Sequence, residues 1–557
     1  MEEKISQTVK ELFDVDVQIQ LSRPEPEFGD YATNIALQLA GRLGKNPREV
    51  AELIAATLRR TGEYADVSIA GPGFINFRIS DTVLRAELEK MTEAGYGKSH
   101  AYDDKVVITE YSDPNPFKVL HAGHFYTSVI GDAISNLIES AGGNVHRVNF
   151  GGDVGLHVAK TMWAIIRKLG GEYPEKLHDI PANERSEWMA ACYVEGTNAY
   201  EEDAQAKIDI TALNKKVYLI HSENDHESSL AQMYWLCREW SYDYFNAFYK
   251  RIGTTFEKYY PESETAPTGL ATVLEQKEKG VYEDSDGAII FKGEPYDLHT
   301  RVFVNKEGLP TYEAKDVGLS IKKWDDYHFD QSVIITGNDI TEYMKVVLKS
   351  IEQFLPELAK RTLHLTHGNV KLAGGVKMSS RKGNFLRAVD VLEIAADENE
   401  KTQGNRDDAP VLGAIKYAFL KNRIGPDVIF DPHESVGLQG NSGPYLQYAH
   451  ARAASILAKV TTDYTQATSE NFDANERSLV VKMTEYTDVI DQATTQLAPH
   501  LVCTYLYELA QVFNRFYENS HIVGDDREAI RARLVAAYAN ILKSGLTLLG
   551  VQAPDHM

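Results

Sequence analysis

Two histidines three residues apart, His121 and His124, close the run Glu110-Tyr-Ser-Asp-Pro-Asn-Pro-Phe-Lys-Val-Leu-His-Ala-Gly-His124. At that spacing both imidazoles share one face of a first helical turn. There they could donate hydrogen bonds to phosphate oxygens, where backbone N–H groups and the helix dipole already favour an anion. Gly123 between them has no Cβ, so a flat base or ribose could lie directly on the backbone. A second run, Gly374-Gly-Val-Lys-Met-Ser-Ser-Arg-Lys-Gly383, joins paired glycines to a cationic cluster. Lys377, Arg381 and Lys382 would bring charge to anionic oxygens, and Ser379 and Ser380 would bring hydrogen bonds. Singly, each run has a plainer reading. The first could be a helix start with two surface histidines or half a zinc site, and the second a solvated basic loop. His364 and His367 also have metal-like spacing, but no cysteine or third histidine accompanies them, so no metal site is expected.

The elements around these runs decide what they can do. Val106-Val-Ile-Thr-Glu-Tyr111 reads as a buried strand, and a Pro/Asn-rich loop spans 112–116. A helix follows, with apolar Phe125, Val129, Ala133, Ile134, Leu137 and Ile138 at helical spacing. Strand character returns over Val145–Phe150 and ends in Gly151-Gly-Asp153. Strand, helix, strand predicts a βαβ unit in a parallel sheet, with the histidines at its phosphate-binding end. Further strand signals are Gly287–Phe291, Arg301–Val304 and Ser332–Thr336, while residues 171–228 read as a polar, irregular insertion. Residues 1–100 read as a small α+β domain: three helical segments, then two short strands around Gly71-Pro-Gly73, then a polar linker at 95–104. Past residue 390 the strand signal fades, and 411–423, 444–460, 476–498, 501–520 and 526–549 are helical by pattern. The expected fold is α/β: a Rossmann-like parallel-sheet domain over 101–385, a helical linker or stem-contact region over 386–440, and an all-α bundle over 441–557.

Composition bounds the rest. At 557 residues, a prior of ~150 residues per domain gives three to four domains. No run of ~18 apolar residues is present, so no spanning helix and no membrane partner is expected. The start, Met1-Glu-Glu-Lys-Ile5, lacks the layout of a secretory signal, and Cys192, Cys237 and Cys503 form no CxxC pair. A cytoplasmic setting is expected. The net charge of −23 disfavours nucleic acid as a partner unless local patches bind it. Lys416, Lys421, Arg423 and Arg452 could form such a basic face, or an ordinary solvated one.

In combination the two runs resemble the signatures of class I aminoacyl-tRNA synthetases, HAGH at 121–124 and KMSSR at 377–381, in that family's order. The resemblance is closest to the arginyl-tRNA synthetases and runs the length of the chain. It is carried by SDPNPFKVLHAGH (112–124), HRVNFGGDVG (146–155), TYEAKDVG (311–318) and NSGPYLQYAHARAASIL (441–457), with FGDYATNIALQLA (28–40) and GPGFINFRI (71–79) near the start. It implies ATP-dependent ligation of arginine to tRNA through an arginyl-adenylate, with Mg2+ accompanying ATP. It further implies catalytic roles for His121, His124, Lys377, Arg381 and Lys382. ATP contacts would come from His121, Gly123, His124, Lys377, Ser379 and Ser380, and arginine contacts from Glu110, Asp113, Asn115, Tyr312, Asp316 and Asp339. A tRNA-contacting domain at 1–100 and an anticodon-binding domain at 441–557 would follow, in a monomer with no DNA partner. Departures are Asp113 where the family has serine, Asp339 and Glu342 where it often has Gln and His, His157 for Gln, and Ser380 for the second lysine of the loop. Another class I ligase, or a non-catalytic RNA-binding paralogue, is the alternative.

Overall fold

The computed structural model describes residues 1–25, 27–375, 386–465 and 470–557. Its centre is a sheet of five parallel strands: β1 (Val106–Glu110), β2 (Asn144–Gly151), β3 (Lys258–Pro261), β4 (Gln331–Gly337) and β5 (Thr362–His367). They lie in the order β5-β4-β1-β2-β3. The chain runs outward from β1 through β2 to β3, then returns to place β4 on the other side of β1. The order therefore reverses at β1, and a parallel α/β sheet binds ligands at such a point, beyond the carboxyl ends of its strands. Helix α1 (Ala122–Ser140) connects β1 to β2 and is buried along most of its length, as its apolar positions predict.

Helix α2 (Leu156–Leu169) follows β2 and leads into the segment expected to be irregular. That expectation is corrected. Residues 171–228 hold a short 3-10 turn and two long helices, α3 (Arg185–Glu202) and α4 (Ala204–Ser222), before α5 (Ser229–Ile252) returns to the sheet. The polar outer faces mask a regular inner stripe: Ala206, Ile210, Leu213, Val217 and Ile220 step by fours and threes and are buried. Together with Met189, Cys192 and Cys237 they form a separate apolar core against α2.

Beyond β3, α6 (Glu262–Glu278) packs on α7 (Tyr312–Tyr327), and α8 (Thr341–Glu352) follows β4. The signals at 287–291 and 301–304 are strands, but they pair antiparallel in a small sheet of their own. Past β5 the regular structure of the described residues is helical apart from two short strands, Val370–Leu372 and Val428–Phe430, which pair in parallel. Helices α9 (Ala388–Gln403), α10 (Asp408–Leu420), α11 (Gly443–Leu457), α12 (Ala474–Met483), α13 (Tyr486–Thr495), α14 (Pro499–Asn519) and α15 (Glu528–Leu548) form the expected bundle. Its core is continuous with the α1 side of the sheet.

The N-terminal region has its own core, built from Ile5, Val9, Ile35, Leu39, Val50, Ile54 and Phe77 over a three-stranded antiparallel sheet. The next helix, Asp81–Met91, instead sends Leu84, Leu88 and Met91 into the main core. Arg477 holds the two together, donating to Asp30 (2.6 Å), Asp81 (2.8 Å) and the Ile79 carbonyl (2.9 Å).

Candidate active site

The loop between β1 and α1 is held in an unusual shape. Ser112, Asp113 and Phe117 all have positive φ (74°, 49° and 68°). Each such non-glycine conformation costs of order 1–3 kcal/mol and persists only where its surroundings fix it. They do so here. Ser112 Oγ bonds the Tyr249 hydroxyl at 2.7 Å, and the Phe117 N–H donates to Ser241 Oγ at 2.9 Å, both on α5. Asp113 Oδ1 accepts from the Phe150 N–H and Asn115 Oδ1 from the Gly152 N–H, each at 2.8 Å.

At the loop's end the two histidines cap each other. The His121 N–H donates to His124 Nδ1 (3.1 Å) and the His124 N–H to His121 Nδ1 (3.3 Å), with the rings stacked 3.6 Å apart. An Nδ1 that accepts carries no proton, so in each neutral ring the proton sits on Nε2. Burial lowers His121 to about 4, and burial with the charge of His121 and Lys118 holds His124 well below the usual imidazole range. Both rings are therefore neutral Nε2–H donors at pH 7. Gly123 has a reason besides ligand access: a Cβ there would stand 2.8 Å from His121 Cε1 and Nδ1. Lys118, whose ammonium lies 4.8 Å above the Tyr193 ring, adds a cation beside the pair.

A group of acids lies at the carboxyl end of β1. Glu110 Oε2 accepts from Lys323, which also donates to Ser332 Oγ at 3.2 Å. Asp316 Oδ2 accepts from the Tyr343 hydroxyl. Burial pushes the Asp316 carboxyl up to about 8, with the Glu110 charge adding to it. Burial and the Glu110 charge hold Asp113 well above the ordinary carboxylate range. Tyr312 and Asp316 are on one helix at i, i+4 spacing, and Tyr312 at its first turn is 54% exposed. Next to this group, Lys315 donates to Glu262 at 2.5 Å and lies 5.1 and 5.7 Å from the rings of Tyr312 and Tyr218.

The other expected residues fall as follows. Asp339 is exposed on the turn after β4, and its charge acts on His121 and His367 rather than standing among the β1 acids. Lys377, Ser379, Ser380, Arg381 and Lys382 lie outside the described residues. His157, the departure after Gly152-Asp-Val-Gly155, bonds the Gly152 carbonyl at 2.7 Å and so ties that loop. Glu342 is exposed and paired with Lys345. His364 and His367 bond different threonines, Thr336 (2.8 Å) and Thr127 (2.7 Å), and do not converge. Lys416 is corrected: its ammonium is buried and bonds the Gly550 carbonyl at 2.8 Å, so it is not part of an exposed basic face.

Sequence reasoning missed Lys118, Glu262, Lys315 and Lys323. Lys118 occupies the lysine position of the motif quoted above, and Lys323 sits two helical turns after Asp316. Nothing local marks Glu262, whose partner is 53 residues away.

Residues 88–431 match the family model "tRNA synthetases class I (R), catalytic domain". The chain belongs to the arginyl-tRNA synthetase family. Residues 1–79 match "Arginyl tRNA synthetase N terminal domain" and 446–557 match "DALR anticodon binding domain". Similar relatives are the arginine–tRNA ligases of Phocaeicola vulgatus (27% identical, covering 100% of each chain) and Halothermothrix orenii (28%, covering 96% of this chain and 94% of the other). The fold of this synthetase is also that of Thermus thermophilus arginyl-tRNA synthetase, with a TM-score of 0.76 at 23% identity over 100% and 99% of the two chains. The Plasmodium falciparum arginyl-tRNA synthetase gives 0.80 at 20% identity, over 100% and 98%.

Proposed function

We propose that this synthetase activates arginine with ATP and transfers it to tRNA by using the two ends of the β1–α1 loop separately. The carrying observation is that this one loop joins a carboxylate cluster to a pair of neutral Nε2–H donors. A guanidinium presents five N–H donors in a planar fork and takes carboxylates as partners. Glu110, Asp113 and Asp316 are those partners, Tyr312 flanks the guanidinium, and Asn115 holds the loop wall in place. Arginine's α-carboxylate must lie beside the α-phosphate, so its α-ammonium lies at the His121 end, where Asp339 is the available acid.

In the first step a carboxylate oxygen of arginine bonds to the α-phosphorus and the bond to the pyrophosphate oxygen breaks. His121 and His124 donate to phosphate oxygens as their charge grows, and Lys377, Arg381 and Lys382 with Ser379 and Ser380 complete the phosphate contacts. The ribose lies over Gly123. In the second step a ribose hydroxyl of the tRNA terminus attacks the arginyl carbonyl carbon, and AMP leaves. Catalysis here is positioning and charge stabilisation. Magnesium enters with ATP as part of the substrate.

The expected setting is a cytoplasmic monomer with tRNA, not DNA, as its nucleic acid. No described helix is long and apolar enough to cross a membrane. The test is Asp316→Asn with arginine and citrulline as competitors. The native pocket should reject citrulline, which lacks the charge, by ~10⁴-fold. The amide variant should lose most of that preference while ATP binding stays near normal. Wild-type arginine activation by Asp316→Asn would place the guanidinium elsewhere.

A further inference from the structure

Lys323 is the cation that the carboxylate cluster already contains. Its side chain is 1% exposed and that of Glu110 3%. A buried ion pair is weak evidence for stability, because two apolar side chains of similar volume often serve as well or better. One that is retained at the edge of a ligand pocket therefore needs another reason. The geometry supplies it. Asp316 and Lys323 lie two turns apart on α7, Lys323 against Glu110 at the end of β1 and Asp316 near enough to feel the Glu110 charge. Lys323 bonds one Glu110 oxygen, Oε2, and is anchored by Ser332 at 3.2 Å from the neighbouring strand. Its charge also acts on Asp113 and Asp316. Each of the three carboxyls has one oxygen engaged: Glu110 by Lys323, Asp113 by the Phe150 N–H, Asp316 by the Tyr343 hydroxyl. The second oxygens, Glu110 Oε1, Asp113 Oδ2 and Asp316 Oδ1, accept no hydrogen bond from another described residue.

We propose that Lys323 is a positioning residue of the amino-acid pocket: its ammonium fixes the Glu110 carboxylate in one orientation so that Oε1 meets the guanidinium. This rests on the arginine reading above. The Glu110 charge acts on both Asp113 and Asp316, so where its carboxylate is held matters to all three. The groups facing Glu110 are Asp113 on the β1–α1 loop, Asp316 and Lys323 on α7, with Glu262 and Lys315 and the Tyr343 hydroxyl next to Asp316. Of the cations, Lys315 is already engaged by Glu262, which leaves Lys323 to hold Glu110.

The experiment measures KM for arginine and for ATP in Lys323→Met, Lys323→Arg and Glu110→Gln. Lys323→Met should raise the arginine KM by about 30-fold or more at pH 7, with ATP KM within about twofold. Lys323→Arg should restore most of the arginine affinity. An unchanged arginine KM, equal losses for both substrates, or no rescue by Lys323→Arg overturns the proposal. If Lys323→Met does not fold, the neutral pair Glu110→Gln/Lys323→Met is used, and a wild-type arginine KM there overturns it equally. Glu110→Gln separates the two failures. If it leaves arginine KM unchanged, the arginine reading itself fails; if it raises KM while Lys323→Met does not, only the role of Lys323 fails.

Discussion

His121 and His124 satisfy the first backbone donors of α1 with their own Nδ1 atoms, which leaves the proton of each neutral ring on Nε2. His124→Ala should then slow adenylate formation by ~10²-fold with little change in arginine KM, as read by pyrophosphate exchange. Equal losses of rate and arginine binding, with an altered circular dichroism spectrum, would make that histidine structural. Asp316 gives the pH prediction. Burial raises its carboxyl to about 8, against ~3.9 in an unfolded chain. Between those values the folded enzyme holds a proton that the unfolded chain has shed. The ligand-free enzyme should therefore lose stability as pH rises from ~4 toward ~8. A guanidinium favours the ionised carboxylate, so arginine affinity should rise over pH 6 to 8, by at most ~tenfold per unit for one proton. Calorimetric titration of arginine checks this, and Asp316→Asn should flatten the slope. The histidine pair was legible from its spacing, whereas the acids were named only through the resemblance to the family. The ionisation of neither was legible, because burial is set by partners far along the chain.

Helix α7 carries Tyr312, Asp316 and Lys323, and its distance from the sheet end is set by a glycine crossing with α6. A Cβ on Gly318 would stand 2.1 Å from the Thr265 carbonyl oxygen, and one on Gly269 1.8 Å from that of Ala314. Gly318→Ala must push the helices apart. Overpacking of this kind costs about 1–3 kcal/mol, and the displaced α7 should raise arginine KM by about tenfold while ATP KM moves little. Thermal melting with the two KM values tests it; an unshifted arginine KM would show that α7 does not set the pocket. The sequence made β1, α1 and β2 legible because each has a clean apolar pattern and sits beside a motif. β3 is only four residues long, with no alternation to read. The α3–α4 pair was hidden for a different reason: its polar outer face outweighs a narrow apolar stripe.

For the whole molecule, the net charge of −23 means that tRNA must meet local positive surface, and its affinity should fall steeply with salt. The placement of Leu84, Leu88 and Met91 in the main core gives a cleaner truncation than the domain limit expected at residue 100. Removing residues 1–79 should leave a folded body that still exchanges pyrophosphate yet binds tRNA more weakly. Binding equal to the full chain at physiological salt would remove the N-terminal region from tRNA contact. The order of domains was legible through motifs, whereas the Arg477 clamp between the first and last of them could be seen only in the fold. The most direct test supplies the purified chain with ATP, total tRNA and each of the twenty amino acids in turn, and follows labelled amino acid onto tRNA. Arginine alone should be transferred. Transfer of a different amino acid, or of none with arginine and tRNA both saturating, would contradict the account.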